Sequence, residues 1–414
     1  MAPRVLLVLP TATYRAEAFL TAAARAGVEV AVASDAAGTL TMRATGREVV
    51  VDLGRPDAAA EAVAAAGLTP DAVVGVDESS VLVAAHIAAA LGLRHHPVAA
   101  VAATRDKRRL RTRLDDAGLH QPRWRETSTG ADPEAVAIAV AAVGGPPVVV
   151  KPVDLAASRG VLRCDDTAAT VTALGRLGRL LDRLGCTAGP AGHPALIERY
   201  VDGLEVAVEG LVVDGRVHVL AVFDKPEPLE GPTFAETIYT TPSRHRPATL
   251  AQLTALTVTA AAAIGLREGP LHAELRLSPS GPVLIEVAAR SIGGLCSSAL
   301  RLGPAGRSLE EVILAAALGT VDPADLETVR AASGVLMLPV PAAGRLVEVG
   351  GVAAARAVEG VDSVRISVPP GTAVEPLPEG DRYLGFVVAR GPGPVEVEIA
   401  LRRARSRLEV RIEP

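Results

Sequence analysis

The stretch from residue 271 to residue 294 reads LHAELRLSPSGPVLIEVAARSIGG and predicts a β-hairpin. We place a three-residue turn at 279–281, with glycine in the left-handed position at its end. With that turn, Glu274 and Glu286 stand directly opposite each other on one face, with their Cβ atoms about 5 Å apart. The alternative is a register slip of one residue, which would move the two carboxylates to different faces.

The chemistry of this hairpin follows from its charges. Two opposed carboxylates are destabilising unless a cation lies between them, and Mg²⁺ shared with substrate phosphates is the natural occupant. Arg290 follows Glu286 by four residues, and a guanidinium there can stabilise charge on a transferring phosphoryl group. Gly293 and Gly294 let a carboxylate or phosphate approach the backbone. In isolation, a solvated arginine and a turn explain these last residues better.

The lysines are few enough to be informative. Of 42 basic residues only three are lysine, so arginine carries the ordinary surface charge. A compact ammonium on a flexible stem suits a phosphate, and Lys107, Lys151 and Lys225 are therefore candidates for such contacts. Lys151 ends an apolar strand and is followed by small residues that include Ser158 and Gly160, where backbone amides can wrap a phosphate. A strand edge with a surface loop is an equally good interpretation of this segment alone.

A connector between two strands forms a second candidate site. Residues 195–205 read ALIERYVDGLE, so that Glu198 and Val201 flank a short linker that can present backbone groups to an adenine edge. Glu205 would then accept hydrogen bonds from ribose hydroxyls. The alternative is a strand pair with exposed carboxylates. His272 shares a strand face with Glu274 and lies either near the substrate or inside the sheet as a satisfied histidine.

The order of elements predicts an α/β and α+β protein of about three domains. Residues 1–103 alternate strands and helices, which indicates an open parallel sheet; Asp77 and Glu78 end its fourth strand, where such sheets bind ligands. A solvated helix start explains these two acids equally well. Strands and hairpins dominate from residue 148, and residues 331–414 form a small strand-rich α+β domain.

Composition excludes several classes of protein. A net charge of −5 and 2% aromatic residues argue against binding nucleic acid. We find no run of about 20 continuous apolar residues, so no membrane span is predicted. Three widely spaced cysteines without a metal pattern fit a reducing cytoplasm.

Taken together, these residues resemble the ATP-grasp superfamily over about residues 1–330, with an α/β domain at 1–103 and a two-lobed ATP-grasp unit at 104–330. The resemblance implies ATP as a cofactor together with Mg²⁺, or Mn²⁺ as an alternative. It also implies roles for the residues matched to the family pattern. These are Lys107 and Lys151 on the phosphates with Ser158 and Gly160, Glu198 to Val201 at adenine, Glu205 at ribose, Glu274 and Glu286 on the metal, and Arg290 and Lys225 in catalysis.

Within the superfamily, residues 288–294 and the segments 334–344 and 376–386 most resemble the amino-acid ligases that make dipeptides. By that likeness Glu236 faces the substrate amino group, with His272, Gly293 and Gly294 near the substrate. One position departs from the pattern, since many ATP-grasp enzymes have Asn two residues after the second glutamate and this chain has Ala288. This departure argues against a second or more tightly held metal ion, unless water completes the shell.

The sequence thus predicts a cytoplasmic ligase that joins an amino acid to an amine through an acyl phosphate, with small-molecule substrates and a homodimer as the state common among relatives. The rival enzyme is a bicarbonate-phosphorylating enzyme of the biotin-carboxylase kind. The rival from another class is a nucleotide-binding pseudoenzyme or regulator, which would not require Glu274, Glu286 and Arg290 together.

Overall fold

The N-terminal part is a four-stranded parallel sheet with helices packed against it, as predicted. The computed structural model describes residues 2–37, 47–327 and 331–414 of the chain. The strands lie in the order β3-β2-β1-β4 and are β1 (Arg4–Val8), β2 (Glu29–Ser34), β3 (Glu48–Val50) and β4 (Ala72–Gly75). The helices of this part, within residues 2–37 and 47–90, are α1 (Ala16–Ala26), α2 (Pro56–Ala65) and α3 (Val81–Ala90). The central strand is buried from Val5 to Val8 because helices cover both faces of the sheet.

Two helices lead out of this sheet, α4 (Val98–Arg105) and α5 (Lys107–Asp116). The boundary predicted between residues 103 and 104 falls inside α4. Asp106 separates the two helices and caps the second, because its side chain accepts hydrogen bonds from the backbone N–H groups of Arg108 and Arg109.

A small lobe, residues 124–199, follows and has a hydrophobic core of its own. Its antiparallel strands lie in the order β5-β8-β6-β7 and are β5 (Trp124–Ser128), β6 (Val148–Pro152), β7 (Leu162–Cys164) and β8 (Pro194–Arg199). Its helices are α6 (Pro133–Ala142) and α7 (Thr167–Arg183). The sequence analysis identified neither helix, although Asp132 and Asp166 cap them and proline begins the first.

An eight-stranded antiparallel sheet forms the largest part of the fold. Its order is β13-β12-β9-β10-β11-β14-β18-β16. The strands are β9 (Leu204–Val213), β10 (Arg216–Asp224), β11 (Ile238–Thr241), β12 (Gly269–Ser278), β13 (Gly281–Ala288), β14 (Ala332–Leu338), β16 (Val361–Ile366) and β18 (Gly385–Gly391). Asp214 and Gly215 form the hairpin turn between β9 and β10, both with positive φ. Since β11 pairs with β14, the sheet continues across the predicted boundary at 330/331.

The hairpin of β12 and β13 brings Glu274 and Glu286 opposite each other, as predicted, but by a different route. The three-residue turn was wrong: Ser278 pairs with Gly281, so the turn has two residues. Between the turn and Leu275, the strand pairing is therefore shifted by one residue from the predicted pairing. A β-bulge between Leu284 and Glu286 removes this shift, so that Glu274 and Glu286 still pair. The extra residue, Ile285, lies on the same cavity wall as Glu286.

The remaining strands form a three-stranded sheet in the order β17-β15-β19, with β15 (Gly344–Gly350), β17 (Ala373–Val374) and β19 (Glu409–Glu413). The remaining α-helices are α8 (Pro247–Ile264), α9 (Leu309–Ala317), α10 (Val352–Arg356) and α11 (Pro394–Arg405). Short 3-10 helices occupy Cys296–Ala299 and Pro323–Leu326.

One described helix, α8, is long and apolar enough to cross a membrane by length and composition alone. The sequence pattern at 249–264 predicts this helix, and no membrane span was predicted from the sequence. Leu253, Ala260, Ala261 and Ile264 of α8 are buried in a core cluster shared with β9, β12 and β13. A core helix satisfies the same criterion, so length and composition are weak evidence for a membrane span.

Gly203 lies in the connection between the small lobe and β9, and its close approach to the backbone of β12 can be tested by mutation. It has φ +118, and a Cβ there would lie 2.1 Å from the carbonyl oxygen of Leu277. Gly281 has φ +109 with nothing within 4 Å, so it is a matched control. Alanine at either position carries backbone strain of about 1–3 kcal/mol, and the clash adds about 1–3 kcal/mol at Gly203 alone. Urea unfolding should therefore show a lower midpoint for Gly203→Ala than for Gly281→Ala, and equal midpoints would contradict the close approach.

Candidate active site

A cavity of about 550 Å³ lies where the small lobe, the large sheet and the carboxyl ends of the N-terminal strands meet. Most residues predicted as site residues line it. They are Lys107, Lys151, Ser158, Glu198, Val201, Glu205, Glu236, His272, Glu274, Glu286, Arg290, Gly293 and Gly294. Gly160 and Lys225 do not line it. The N–H of Gly160 donates to the carbonyl of Pro378, and Lys225 lies beneath the wall.

Lys151 reaches the cavity from the end of β6 and is held by Glu198 on the neighbouring strand β8. Its Nζ lies 2.8 Å from Glu198 Oε2. Arg111 of α5 binds the same carboxylate, with Nε to Oε1 at 2.8 Å, and also donates to the carbonyl of Ile285 at 2.7 Å. Burial would raise the pKa of Glu198, but Arg111 and Lys151 outweigh it and lower the pKa to about 2. The sequence analysis missed Arg111, which nothing distinguishes among so many arginines.

Lys107 reaches the same region from the first turn of α5. Its Nζ donates to the carbonyl of Leu155 at 2.6 Å and lies 3.6 Å from Glu286 Oε1. The loop at 155–160 is therefore in direct contact with Lys107 and follows Lys151 closely along the chain. Ala157 and Ser158 have φ of 55° and 57°, in the left-handed region that costs a non-glycine residue about 1–3 kcal/mol. Such a loop keeps its shape only when its surroundings hold it.

Lys225 is buried among three carboxylates rather than exposed to the cavity, which corrects the expectation that it faces the phosphates. Its Nζ lies 2.6 Å from Glu205, 2.8 Å from Glu236 and 3.2 Å from Glu274. Burial would lower the pKa of Lys225, but the three carboxylates outweigh burial and raise it well above its ordinary value. The ammonium stays charged and offsets the repulsion between the three acids.

Glu274 and Glu236 respond differently to this shared lysine. Burial opposes ionisation of Glu274, but Lys225 and His272 hold its pKa well below the ordinary value. Burial and the charge of Glu274 raise the pKa of Glu236, and Lys225 only partly offsets them. Glu236 also accepts a hydrogen bond from the hydroxyl of Tyr239.

His272 lies between two acids. Its Nδ1 is 3.3 Å from Glu209 Oε2 and its Nε2 is 3.6 Å from Glu274 Oε1. Burial would lower the pKa of His272, but the two carboxylates raise it. Glu209 is fully buried and accepts from the N–H of Ile292 at 3.0 Å, so it also fixes the start of the segment that carries the two glycines. The sequence analysis missed Glu209, which lies four residues after Glu205 in the mainly apolar strand β9.

Arg290 joins the large sheet to the N-terminal sheet. Its Nε donates to Glu78, and Arg105 lies 3.3 Å from the same acid. Burial would lower the pKa of Arg290, but Glu78 raises it further above its already high value. Asp77 and Glu78 both line the cavity, so the carboxyl end of β4 contributes to the site as the α/β pattern predicted.

Aromatic side chains are concentrated at this cavity. All four tyrosines of the chain line it, namely Tyr14, Tyr200, Tyr239 and Tyr383. The ring of Tyr200 lies 4.4 Å from the guanidinium of Arg163 and 5.1 Å from that of Arg276. The hydroxyl of Tyr14 accepts from the N–H of Gly294 at 2.8 Å. The rarity of tyrosine, which is the argument used for lysine, could have identified these residues from the sequence.

The donor set fits a hard divalent cation. Glu274 and Glu286 oppose each other with side chains 22% and 30% exposed, so carboxylate oxygens remain available at the cavity wall. A second group of acids, Glu205, Glu236 and Glu274, has oxygens within 4.8 Å of one another, but the Lys225 ammonium already balances it. Ala288 offers no donor, so water and phosphate oxygens would supply the remaining ligands.

Glu198 provides a pH-dependent test of the buried ion pairs. Glu198→Gln should lower the free energy of unfolding of the small lobe at pH 7 by about 3–5 kcal/mol, because Arg111 and Lys151 stay buried without their partner. The folded pKa is lowered from 4.5 to about 2. The wild-type advantage is therefore complete above about pH 5 and is lost as the pH falls from 4.5 to 2. Urea unfolding followed by fluorescence of Trp124, the single tryptophan, measures this difference, and an equal difference at pH 7 and pH 3 would contradict it.

Two curated relatives of the chain are ligases or synthases by name. A dapdiamide A synthase of Enterobacter agglomerans is 31% identical over 149 residues, which are 36% of this chain and 34% of that protein. An alanine–anticapsin ligase of Bacillus subtilis (strain 168) is 26% identical over 237 residues, 54% of this chain and 49% of that protein. The matched regions thus span between a third and a half of these relatives' own length.

A similar solved structure and two domain-family models agree with the names of these relatives. The crystal structure of an L-amino acid ligase from Bacillus licheniformis superposes with a TM-score of 0.81 at 24% identity and covers 100% of both chains, which shows the same fold. A family model for the ATP-grasp domain matches residues 145–299, and one for the L-amino acid ligase C-terminal domain 2 matches residues 336–413. These matches confirm the resemblance found in the sequence: the chain contains an ATP-grasp domain followed by a C-terminal domain of the L-amino acid ligase type.

Proposed function

We propose that this protein is an ATP-dependent carboxylate–amine ligase that joins an amino acid to an amine, with ADP and phosphate as the other products. In the first step a carboxylate oxygen of the substrate attacks the γ-phosphorus of ATP, forming an acyl phosphate while ADP leaves. In the second step the amine nitrogen attacks the acyl carbon, phosphate leaves with the bonding electrons, and the nitrogen loses a proton. The product is an amide, and with two amino acids it is a dipeptide.

The observation that carries this proposal is the convergence of three kinds of group on one cavity. Lys107, Lys151 and the 155–160 loop line one part of it, and the opposed pair Glu274 and Glu286 lies with them on the wall. Glu236, a carboxylate suited to a substrate ammonium group, lines the same cavity. Simple nucleotide binding does not require an acid for a second substrate beside the phosphate-binding groups.

The chain's own residues would act mainly by position and charge. Lys107 and Lys151 would neutralise the phosphates, and Arg290 would stabilise charge on the phosphoryl group in transfer. Tyr200 and Val201 would border adenine, with Glu205 at ribose, although Arg276 and Lys225 already hold that carboxylate. Lys225 would not touch the substrates itself. It would hold Glu236 in place for the substrate ammonium group and Glu274 in place for the metal ion.

A divalent cation would be held by Glu274 and Glu286, and it would supply charge neutralisation of the phosphate oxygens. We propose Mg²⁺, with Mn²⁺ as the alternative. Two of the similar structures are of complexes with ATP and with MgADP, and each is 18% identical or less to this chain. The fit of the two carboxylates supports the assignment to this chain.

We further propose a cytoplasmic location and small-molecule partners only. Cys164 and Cys296 are buried as free thiols, which suits a reducing compartment. A homodimer is proposed as well, and Val395 and Ile399, two exposed apolar residues one turn apart on α11, support a contact there. Light scattering of the purified protein measures this state directly.

The activity is tested by release of ADP and phosphate from Mg·ATP over a panel of amino acids, offered singly and in pairs. We expect release that depends on two amino acids, together with an amide product whose mass is their sum less one water. Release that depends on bicarbonate instead would favour the biotin-carboxylase-like alternative. Bound ATP without release under any pair or bicarbonate would favour a regulator and contradict the proposal.

Glu286→Gln tests the metal assignment. The amide keeps the size of the side chain but removes the charge that faces Glu274, so turnover should fall by at least about 100-fold. Glu348→Gln is the matched control, because Glu348 pairs with Arg411 on the surface, 3.2 Å away. The control should keep normal turnover, whereas a near-normal rate in Glu286→Gln would exclude the assigned metal ligand.

A further inference from the structure

A segment of the C-terminal part, residues 375–381, crosses to the small lobe and holds the 155–160 loop from outside; we call it the strap. The N–H of Gly160 donates to the carbonyl of Pro378 at 2.8 Å. The Nε of Arg159 donates to the carbonyl of Glu379 at 2.9 Å. These two bonds join the loop to a segment more than 200 residues away in sequence and fix the end of the loop that follows Ser158.

Ion pairs fasten the strap to α7 of the small lobe. Arg176 binds Glu379 through two parallel bonds, with Nε to Oε1 at 2.6 Å and Nη2 to Oε2 at 2.8 Å. Arg183, seven residues further along the same helix, lies 3.2 Å from Glu375. The hydrogen bond from Arg176 lowers the pKa of Glu379, so this acid is charged at neutral pH. A bidentate arginine–carboxylate pair fixes the relative orientation of the two side chains as well as their distance.

The strap is itself a fixed turn rather than a loose connection. The N–H of Gly380 donates to the carbonyl of Pro376 at 2.9 Å, and a Cβ at Gly380 would lie 2.0 Å from the carbonyl oxygen of Glu375. Asp381, the last residue of the strap, and Tyr383, two residues further on, line the cavity. One short segment thus connects the 155–160 loop with the wall of the cavity and with β18.

The main hydrophobic core of the small lobe is separate from the other cores, and only a small cluster of Val149, Tyr200 and Phe234 joins the described lobe to the rest of the chain by apolar contact. Among the described residues, its hydrophobic core is built from residues 136–197 alone. The 155–160 loop contains the left-handed residues Ala157 and Ser158, which require support from outside the loop. Lys107 supports the beginning of the loop through Leu155, and the strap supports its end.

We propose that Glu379 is a positioning residue of the ligase reaction, which through Arg176 holds the strap on the small lobe and keeps the 155–160 loop closed over the nucleotide phosphates. The contact itself is a property of the structure. Only the identity of the ligand under the loop rests on the proposed function. Glu379 touches no substrate and acts through the loop.

A charge exchange tests this role in the full-length protein. The variants are Glu379→Arg, Arg176→Glu and the double variant that carries both, and Glu348→Arg is the control because it breaks a surface pair within the C-terminal part. Without nucleotide, amide hydrogen exchange at residues 156–162 should become about fivefold faster in each single variant and return to within about twofold of wild type in the double variant. The control should match wild type at these amides.

Kinetics on the same proteins provide a second readout. Each single variant should raise the KM for ATP about fivefold with kcat within about twofold, because the groups that act on the transferring phosphate are unchanged. The double variant should restore KM. Unchanged exchange in the single variants, or loss without rescue in the double variant, would overturn the positioning role. If no amino acid pair supports ADP release, the proposed function fails, and the exchange data still decide whether the strap holds the loop.

Discussion

The Lys225 ammonium, buried among Glu205, Glu236 and Glu274, is the interaction on which the site depends. Three acids so close together would repel one another and take up protons without a cation between them. With the lysine in place, Glu274 stays charged and Glu236 is fixed in position; the proposed function assigns the first to a metal ion and the second to a substrate ammonium group. Removing the lysine would leave uncompensated buried charge, which is among the most destabilising changes a protein can undergo.

Other buried ion pairs around the cavity also hold the site together, because each of these cations joins parts of the chain that are distant in sequence. Arg111 and Lys151 share Glu198, so α5 and the small lobe are fixed to each other. Arg290 holds Glu78 and thereby joins the large sheet to the N-terminal sheet. In the proposed reaction, Lys151 and Lys107, which now pair with Glu198 and Glu286, would contact phosphate oxygens of ATP instead. Glu286 would then be available as a ligand of the proposed divalent cation.

The sequence predicted those features that depend on residue type and on local spacing. The opposition of Glu274 and Glu286 was predicted from an assumed three-residue turn, and the scarcity of lysine identified residues that lie at the site or directly beneath it. The turn was wrong because a bulge cannot be inferred from composition, and it is the bulge that restores the pairing of Glu274 with Glu286. Arg111, Glu209 and the strap could not be predicted, because each acts through partners between about 60 and 220 residues away. Such contacts become visible only when the chain is folded.

The central claim is that a substrate carboxylate attacks the terminal phosphate of ATP in this cavity. The most direct test uses an amino acid that supports ADP release, labelled with ¹⁸O in its carboxylate, and follows the label by mass spectrometry of the products. The account predicts one ¹⁸O atom transferred to inorganic phosphate for each amide formed and none in ADP. Label recovered in AMP, with pyrophosphate as the other product, or unlabelled phosphate throughout, would contradict activation through an acyl phosphate.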